Sequence, residues 1–434
     1  MDQKAELLAM GKKRGSRSDS CRHDIPCKEK GLPKNLSTIA NRWRRAPRRW
    51  GHPLHSLCSY FAMFPPQIPH VFIRWLTDPG DIVYDPFSGR GTAPLEACRM
   101  GRVGLGSDAN PLAYVLTAAK VDPPTGQEAQ ARLSELRHSC RGGSDQDVPA
   151  EIRILYSSRV LCQLTWLRDH LDIKRRDDQF IMALLLGVMH ANYIPGHPAR
   201  GLSISMPNTF SMSPGYVRRF IDENGLKPPD IDVFDLLEKK LDRMLLPEAD
   251  VTRGRAWQQD ACEPVPPALL REPAKLIFTS PPYLNVIKYG KYNWVRLWML
   301  KQEPKEIDAK LMATGSISKY LQFVKKVLFA LAPAVRDDGF VCLMIGDVRE
   351  RGTGQTTNLA EHVWVETAEP LGWKLCGIVS DRVPIEHKVS RIWKNERGTA
   401  TKTDRILVLS RRSIQSTALP TLEPIRWTEA TAWA

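Results

Sequence analysis

Apolar residues fall in short blocks separated by glycine, proline and acids, and the spacing of these blocks predicts the elements. Ile82-Val83-Tyr84 is a short apolar run that ends in Asp85. Pro86, Phe87, Ser88, Gly89, Arg90, Gly91 and Thr92 follow, so the strand stops in a glycine-bearing turn and a helix starts. That helix is expected from about Ala93 to Met100, closing at Gly101. A second strand, Val103 to Ser107, ends in Asp108. Strand, glycine loop, helix, strand and acid make the opening of a doubly wound nucleotide-binding sheet. The segment upstream, His52 to Thr77, reads as largely helical, with Phe72, Ile73, Trp75 and Leu76 on an apolar face.

Beyond Pro123-Pro124-Thr125-Gly126 the pattern changes, and to about Asp250 it predicts a largely helical insertion. Leu161–Leu171, Phe180–His190 and Val233–Leu246 have leucines at helical spacing. Residues 192–215 read as a long loop rich in Pro, Ser, Asn and Gly. The sheet is expected to resume with a third strand edge over Arg255–Asp260, followed by Ala261, and a fourth strand over Lys275–Phe278. Further along, Lys319–Leu331 and His362–Leu371 read as helices. Gly339–Gly346 (ending in Asp347), Trp373–Val379 and Arg405–Ser410 read as strands. The expected divisions are a basic N-terminal arm over 1–50, poorly ordered; a first sheet part over 51–125; the insertion over 126–250; a second sheet part over 251–412; and a peripheral tail over 413–434.

The fourth strand runs into Thr279-Ser280-Pro281-Pro282-Tyr283. Two prolines cannot donate ladder hydrogen bonds, so the strand ends in a stiff turn. The turn carries a hydroxyl, fixed carbonyls and an aromatic ring, and suits a flat heterocycle. Taken alone it is equally an ordinary Pro-Pro turn. Tyr289, Tyr292, Trp294 and Trp298 follow in a short span.

Composition narrows the partners. The 434 residues carry a net charge of +14, which points to a polyanion, with nucleic acid first. Arg44, Arg45, Arg48 and Arg49 interleave with Trp43 and Trp50, a pattern that suits phosphate contact and stacking and equally suits a solvated face with packed tryptophans. His197, Arg200, Lys288 and the basic interval holding Lys388 and Arg391 are further candidate nucleic-acid contacts. Nine scattered cysteines form no C-x-x-C pair, so neither a disulfide framework nor a metal site is expected. No apolar run of about 18 residues predicts a membrane span, and the expectation is a cytoplasmic protein of bacterial, archaeal or phage type.

The glycine loop departs from a dinucleotide fingerprint, because it lacks G-x-G-x-x-G and is preceded by an acid. Asp85 would repel a pyrophosphate and attract an ammonium, which favours a nucleoside with a cationic amino-acid tail, S-adenosylmethionine. Asp108 is placed for ribose hydroxyls, and Asp260 for an adenine amino group.

With these residues in hand, the chain resembles the amino-methyltransferases of DNA. Asp85-Pro86-Phe87-Ser88-Gly89-Arg90-Gly91-Thr92 is similar to the family's D-P-F-x-G-x-G-T cofactor motif. Ser280-Pro281-Pro282-Tyr283 is similar to its [DNS]-P-P-[YFW] catalytic motif. The resemblance implies an α/β, doubly wound Rossmann-like methyltransferase sheet. It implies S-adenosylmethionine as cofactor, held by Asp85, Pro86, Phe87, Ser88, Gly89, Gly91, Thr92, Asp108, Ala109, Asp260 and Ala261. Ser280, Pro281, Pro282 and Tyr283 would serve catalysis on a base flipped from double-stranded DNA. Ser in the first motif position points to cytosine N4. Adenine N6, an RNA or tRNA base, and a non-catalytic nucleic-acid binder stay open as alternatives, as does a cognate restriction endonuclease as partner. The family's SPPY members often carry the two motifs in the reverse order, so the location of target recognition stays open between the insertion and the Arg382–Thr403 loop.

Overall fold

A computed structural model describes residues 42–47, 50–60, 64–192, 200–206, 212–244, 254–282, 288–349, 356–382 and 400–413. It also describes a few single positions: 36, 39, 246, 247, 284, 422, 425 and 427. The principal strands are β1 (Ile82–Asp85), β2 (Val103–Asp108), β3 (Gly254–Gln258), β4 (Ala274–Thr279), β5 (Val335–Arg349), β6 (Lys374–Arg382) and β7 (Ala400–Ser410). Their order across the sheet is β3-β2-β1-β4-β5-β7-β6. β1, β2, β3, β4 and β5 pair in parallel, whereas β7 lies antiparallel between β5 and β6. The short strand Thr356–Thr357 pairs with the end of β5.

Chain order reverses between β1 and β4. In doubly wound sheets, ligands bind beyond the carboxyl ends of the strands at that reversal. Both motif loops leave the sheet there.

The central strands are buried on both faces, which explains their continuous apolar runs. Ile82 and Tyr84 of β1 join Ile277 of β4 in one core cluster, while Val83 joins Leu276 and Phe278 in another. This is the two-residue alternation of a strand with a core on each side. Helix α1 (Gln67–Leu76) covers one face beside α2 (Thr92–Arg99). A later helix, Ile317–Leu331, supplies Tyr320, Val324, Val327 and Leu331 to the other face. Helix α3 (Pro111–Val121) follows β2.

The insertion is helical, as expected, over Gly126–Ser139, Ser158–His170, Arg176–Leu186, Pro214–Asn224 and Val233–Leu241. Its core is continuous with the sheet's helices: Leu112, Val115 and Leu116 of α3 pack in one cluster with Leu133, Leu164, Phe180, Leu237 and Trp298. The first of these helices starts at a capping box, in which Thr125 and Glu128 each accept from the other's backbone N–H. Where the long loop is expected over 192–215, Ser205–Met206 pairs with Ala191–Asn192 at the loop's start as a short parallel ladder.

Several expectations change. His52–Thr77 is not largely helical: a 3-10 turn spans Pro53–Ser56, and the α-helix starts only at Gln67, after Pro65 and Pro66. The helix expected over Phe180–His190 ends at Leu186 before Gly187, and the one expected to Leu246 ends at Leu241. The helix expected over His362–Leu371 is α-helical only to Val363, then a π turn to Ala368 and a 3-10 turn. β5 begins at Val335, four residues before the predicted strand, in a polar stretch that apolar patterning does not mark.

The N-terminal segment is not loose where it is described. Leu36, Ile39 and Trp43 are buried in the α1-side core, and Leu422, Ile425 and Trp427 of the tail pack against it. Trp50 and Trp427 meet edge-on with centroids 4.8 Å apart.

Candidate active site

The loop after β1 is shaped by its two glycines. Gly89 and Gly91 have φ of 53° and 75°, in the left-handed region that favours glycine. A Cβ on Gly91 would stand 2.9 Å from Thr117 Cα, so the loop rests directly on α3. That helix also supplies polar anchors. Thr117 Oγ1 donates to Ser88 Oγ at 2.9 Å, and the fully buried Lys120 donates to the Arg90 carbonyl at 2.5 Å. Burial pushes the Lys120 ammonium well below its usual range. The Arg90 guanidinium donates to the His55 carbonyl at 2.9 Å.

Asp85 closes β1 and is fully buried. Its Oδ1 accepts from Thr279 Oγ1 at 2.5 Å and from the Phe87 amide at 3.1 Å. Its Oδ2 is buried and has no hydrogen-bond partner among the described residues. Burial pushes the carboxyl up to about 7, against the pull of the Thr279 and Phe87 hydrogen bonds. Asp108, at the end of β2, accepts from the Gly89 and Asn110 amides, both at 2.9 Å. Burial raises it to about 6, and the nearby Asp260 charge adds to the rise. Asp260 itself accepts from the Cys262 amide at 2.9 Å.

Asp108 and Asp260 border a cavity of about 390 Å³. Of the residues expected to hold a cofactor, Phe87, Ser88, Gly89, Thr92, Asp108, Ala109, Asp260 and Ala261 line it. Asp85, Pro86 and Gly91 do not line it and stand behind it as loop framework. From the catalytic motif, Ser280, Pro281 and Pro282 line the same cavity. Ser280 Oγ donates to the Met344 carbonyl of β5 at 3.2 Å, which fixes the hydroxyl. Tyr283 lies outside the described residues.

Other lining residues escaped the sequence reading. Tyr60, Phe64, Asn110, Tyr289, Leu311, Met312 and Phe323 also face the cavity. Tyr60 accepts from Asn110 Nδ2 at 2.9 Å and stacks on Tyr289, with ring centroids 5.8 Å apart and planes at 27°. Phe323 meets Phe87 at 5.8 Å. Phe323 sits on a strongly periodic helix and reads there as core. Tyr60 belongs to no regular pattern and gives no signal. Of the aromatic group after the catalytic motif, Trp294 and Trp298 are core, and Tyr289 alone lines the cavity.

Four of the nine expected nucleic-acid contacts, Arg44, Arg45, Arg200 and Lys288, fall among the described residues. Arg44 pairs with Asp381 at 3.0 Å, a structural role. Arg45, Arg200 and Lys288 are exposed, and Lys288 directly precedes the cavity residue Tyr289. Arg48, Arg49, His197, Lys388 and Arg391 lie outside the described residues. Among the described residues no cluster of His, Cys, Asp and Glu could hold a metal ion, and no helix is long and apolar enough to cross a membrane.

Sheet order, the acid-tipped glycine loop at the chain reversal and the shared cavity define a doubly wound, Rossmann-like fold with its candidate site at the switch point. Comparison with known proteins carries this further, since residues 11–119 match the family model described as DNA methylase, N6_N4_Mtase. The matched span holds Asp85–Thr92 and ends before Ser280. The chain is 34% identical over 88 residues to the type II methyltransferase M.PvuII of Proteus hauseri, covering 20% of this chain and 26% of that protein. It is 32% identical over 90 residues to the type II methyltransferase M.MvaI of Kocuria varians, covering 20% of each. The chain therefore spans about a quarter or less of the length of these relatives. Among solved structures, the rRNA methyltransferase aviRa of Streptomyces viridochromogenes has a TM-score of 0.31 and 11% identity, covering 81% of this chain and 87% of that one.

Proposed function

We propose that this chain is an S-adenosylmethionine-dependent DNA methyltransferase acting on the exocyclic N4 of cytosine. The observation that carries the reading is that one cavity is lined by both the Phe87–Thr92 loop and the Ser280–Pro282 turn. The matched relatives, named as type II methyltransferases, support it.

The residues present fit the cofactor. Asp85 stands behind the lining with its Oδ2 unpartnered among the described residues, and its ionised form puts a negative charge behind the wall that favours a cationic amino group. Asp108 still has lone pairs for ribose hydroxyls, and Phe87, Phe323 and Asp260 offer apolar walls and an acceptor for adenine. When bound, S-adenosylmethionine supplies an electrophilic methyl group. A cytosine amino nitrogen is a poor nucleophile because its lone pair is delocalised into the ring. The Ser280 hydroxyl donates its hydrogen bond to the Met344 carbonyl, so its oxygen lone pairs can accept an amino hydrogen of the base. The Pro281 carbonyl is a second acceptor. Together they would localise the nitrogen lone pair and orient it. A base in a duplex reaches the pocket by flipping out of the stack.

The first-position Ser favours cytosine N4 over adenine N6. The test is transfer of a labelled methyl group to unmethylated DNA, with the product digested to nucleosides. N4-methylcytosine is expected. N6-methyladenine as sole product would overturn the base assignment, and transfer only to RNA would overturn the DNA assignment.

A further inference from the structure

Acids and Phe87 meet the needs of the cofactor and leave part of the cavity lining unassigned, above all Tyr289. This ring sits on the four-residue helix Tyr289–Tyr292, which follows the Ser280–Pro282 turn in sequence and is held by the helix Pro304–Lys310. Asp308 on that second helix accepts from the Gly290 amide at 2.7 Å and from the Lys291 amide at 3.0 Å, one bond to each carboxylate oxygen. Gly290 allows the two helices to touch, since a Cβ there would stand 2.0 Å from the Pro304 carbonyl oxygen. The end of the second helix, Ala309 and Lys310, and the residues just beyond it, Leu311 and Met312, line the cavity as well. The chain from 288 to 313 is thus a strap that leaves the catalytic turn, places one aromatic ring in the cavity and is locked by one carboxylate.

We propose that Tyr289 is the aromatic wall against which the substrate base lies, and that Asp308 is the positioning residue that holds it there. The proposal rests on the methyl-transfer reading and assigns to that reaction two residues outside both motifs. A tyrosine ring has few rotatable bonds, so a wall made of it costs little ordering when the base arrives. Tyr60 stacks on the ring and is itself held by Asn110, so Tyr289 has a fixed seat. Base–aromatic stacking carries about 1–3 kcal/mol per base, equivalent to roughly 5- to 150-fold in affinity. Stacking tolerates any base, so Tyr289 holds the nucleotide while the Ser280 turn chooses the atom.

The experiment measures kcat and KM for unmethylated duplex DNA, the S-adenosylmethionine dissociation constant by calorimetry, and the melting temperature. It compares wild type with Tyr289→Leu, Tyr289→Phe, Asp308→Ala and Asp308→Asn. Tyr289→Leu keeps apolar bulk without a flat face, and is expected to raise KM for DNA about tenfold while leaving cofactor affinity within twofold. Tyr289→Phe is expected to recover most of that loss. Asp308→Ala is expected to shift KM in the same direction. Asp308→Asn, which keeps one acceptor oxygen, is expected to shift it less and guards against an alanine variant that fails to fold. An unchanged KM in Tyr289→Leu, or a cofactor affinity that falls as much as DNA affinity, overturns the assignment. A wild type that binds cofactor but transfers nothing to DNA overturns the methyl-transfer reading, and the proposal with it.

Discussion

Thr279, the last residue of β4, donates its hydroxyl to the carboxylate of Asp85, the last residue of β1, at 2.5 Å in a fully buried setting. The two strands are parallel neighbours at the point where chain order reverses, so the bond ties the cofactor loop to the catalytic turn. Thr279→Val removes the donor and preserves the shape. A hydrogen bond to a charged group contributes about 1.5–3 kcal/mol. Cofactor binding near pH 7 should weaken by about tenfold or more. The pH at which binding reaches half its maximum should move upward, because the bond favours the ionised carboxylate. Calorimetric titration across pH 5.5–8.5 checks both.

Asp85 and Asp108 titrate in the folded protein at about 7 and about 6, above the ordinary carboxylate value, chiefly because both are buried. Between about pH 4 and 7 these two groups therefore hold more protons in the folded protein than in the unfolded chain, and their contribution to stability falls as pH rises through that window, while buried His55, lowered to about 4, works in the opposite direction. The contribution of the two acids to the melting temperature of the cofactor-free protein should fall from pH 5 to pH 8. Asp85→Asn should flatten this slope by removing the larger shift. The same substitution should abolish tight cofactor binding, since the neutral amide does not attract an ammonium. A melting series with and without S-adenosylmethionine separates the two effects.

Gly91→Ala should be costly twice over. The left-handed φ of 75° strains any side chain, by about 1–3 kcal/mol. The new methyl group would also press on the backbone of Thr117, 2.9 Å away. Denaturant unfolding should show the loss. Any folded fraction should bind cofactor poorly, because the loop must shift away from α3.

Ser280→Ala removes the hydroxyl whose proton is held by Met344. Cofactor affinity should stay within twofold, and kcat should fall about 10- to 100-fold, the scale of one hydrogen bond to a group developing charge. Single-turnover transfer to DNA reads this directly. An unchanged rate would remove Ser280 from the chemistry.

The sequence disclosed β1, β2, the glycine loop and β4 because these features are local. A strand buried on both faces has to be an apolar run, and a sharp turn over a helix start has to carry glycine. The acids Asp85, Asp108 and Asp260 were legible for the same reason, as each closes or follows a strand. Tyr60 and Tyr289 were not, because their placement is set by Asn110, Gly89 and Asp308 from three other segments. The long 52–77 helix was overread, as apolar residues at helical spacing outweighed the prolines at 53, 65, 66 and 69. The start of the helix Gly126–Ser139 was written in the chain as Thr125-x-x-Glu128, a signal stronger than the weak apolar stripe that follows.

The core cluster shared by α3 and the insertion bears on engineering. Leu112, Val115 and Leu116 press on α3's inner side against the insertion's leucines, while Thr117 and Lys120 of the same helix grip the cofactor loop. Residues 126–250 are therefore not a cassette that can be cut out or exchanged at its ends. A chimera made at Pro123 and Asp250 would strip the support from the helix that shapes the glycine loop. Changes to the insertion would have to proceed by surface substitutions that leave that shared leucine layer intact.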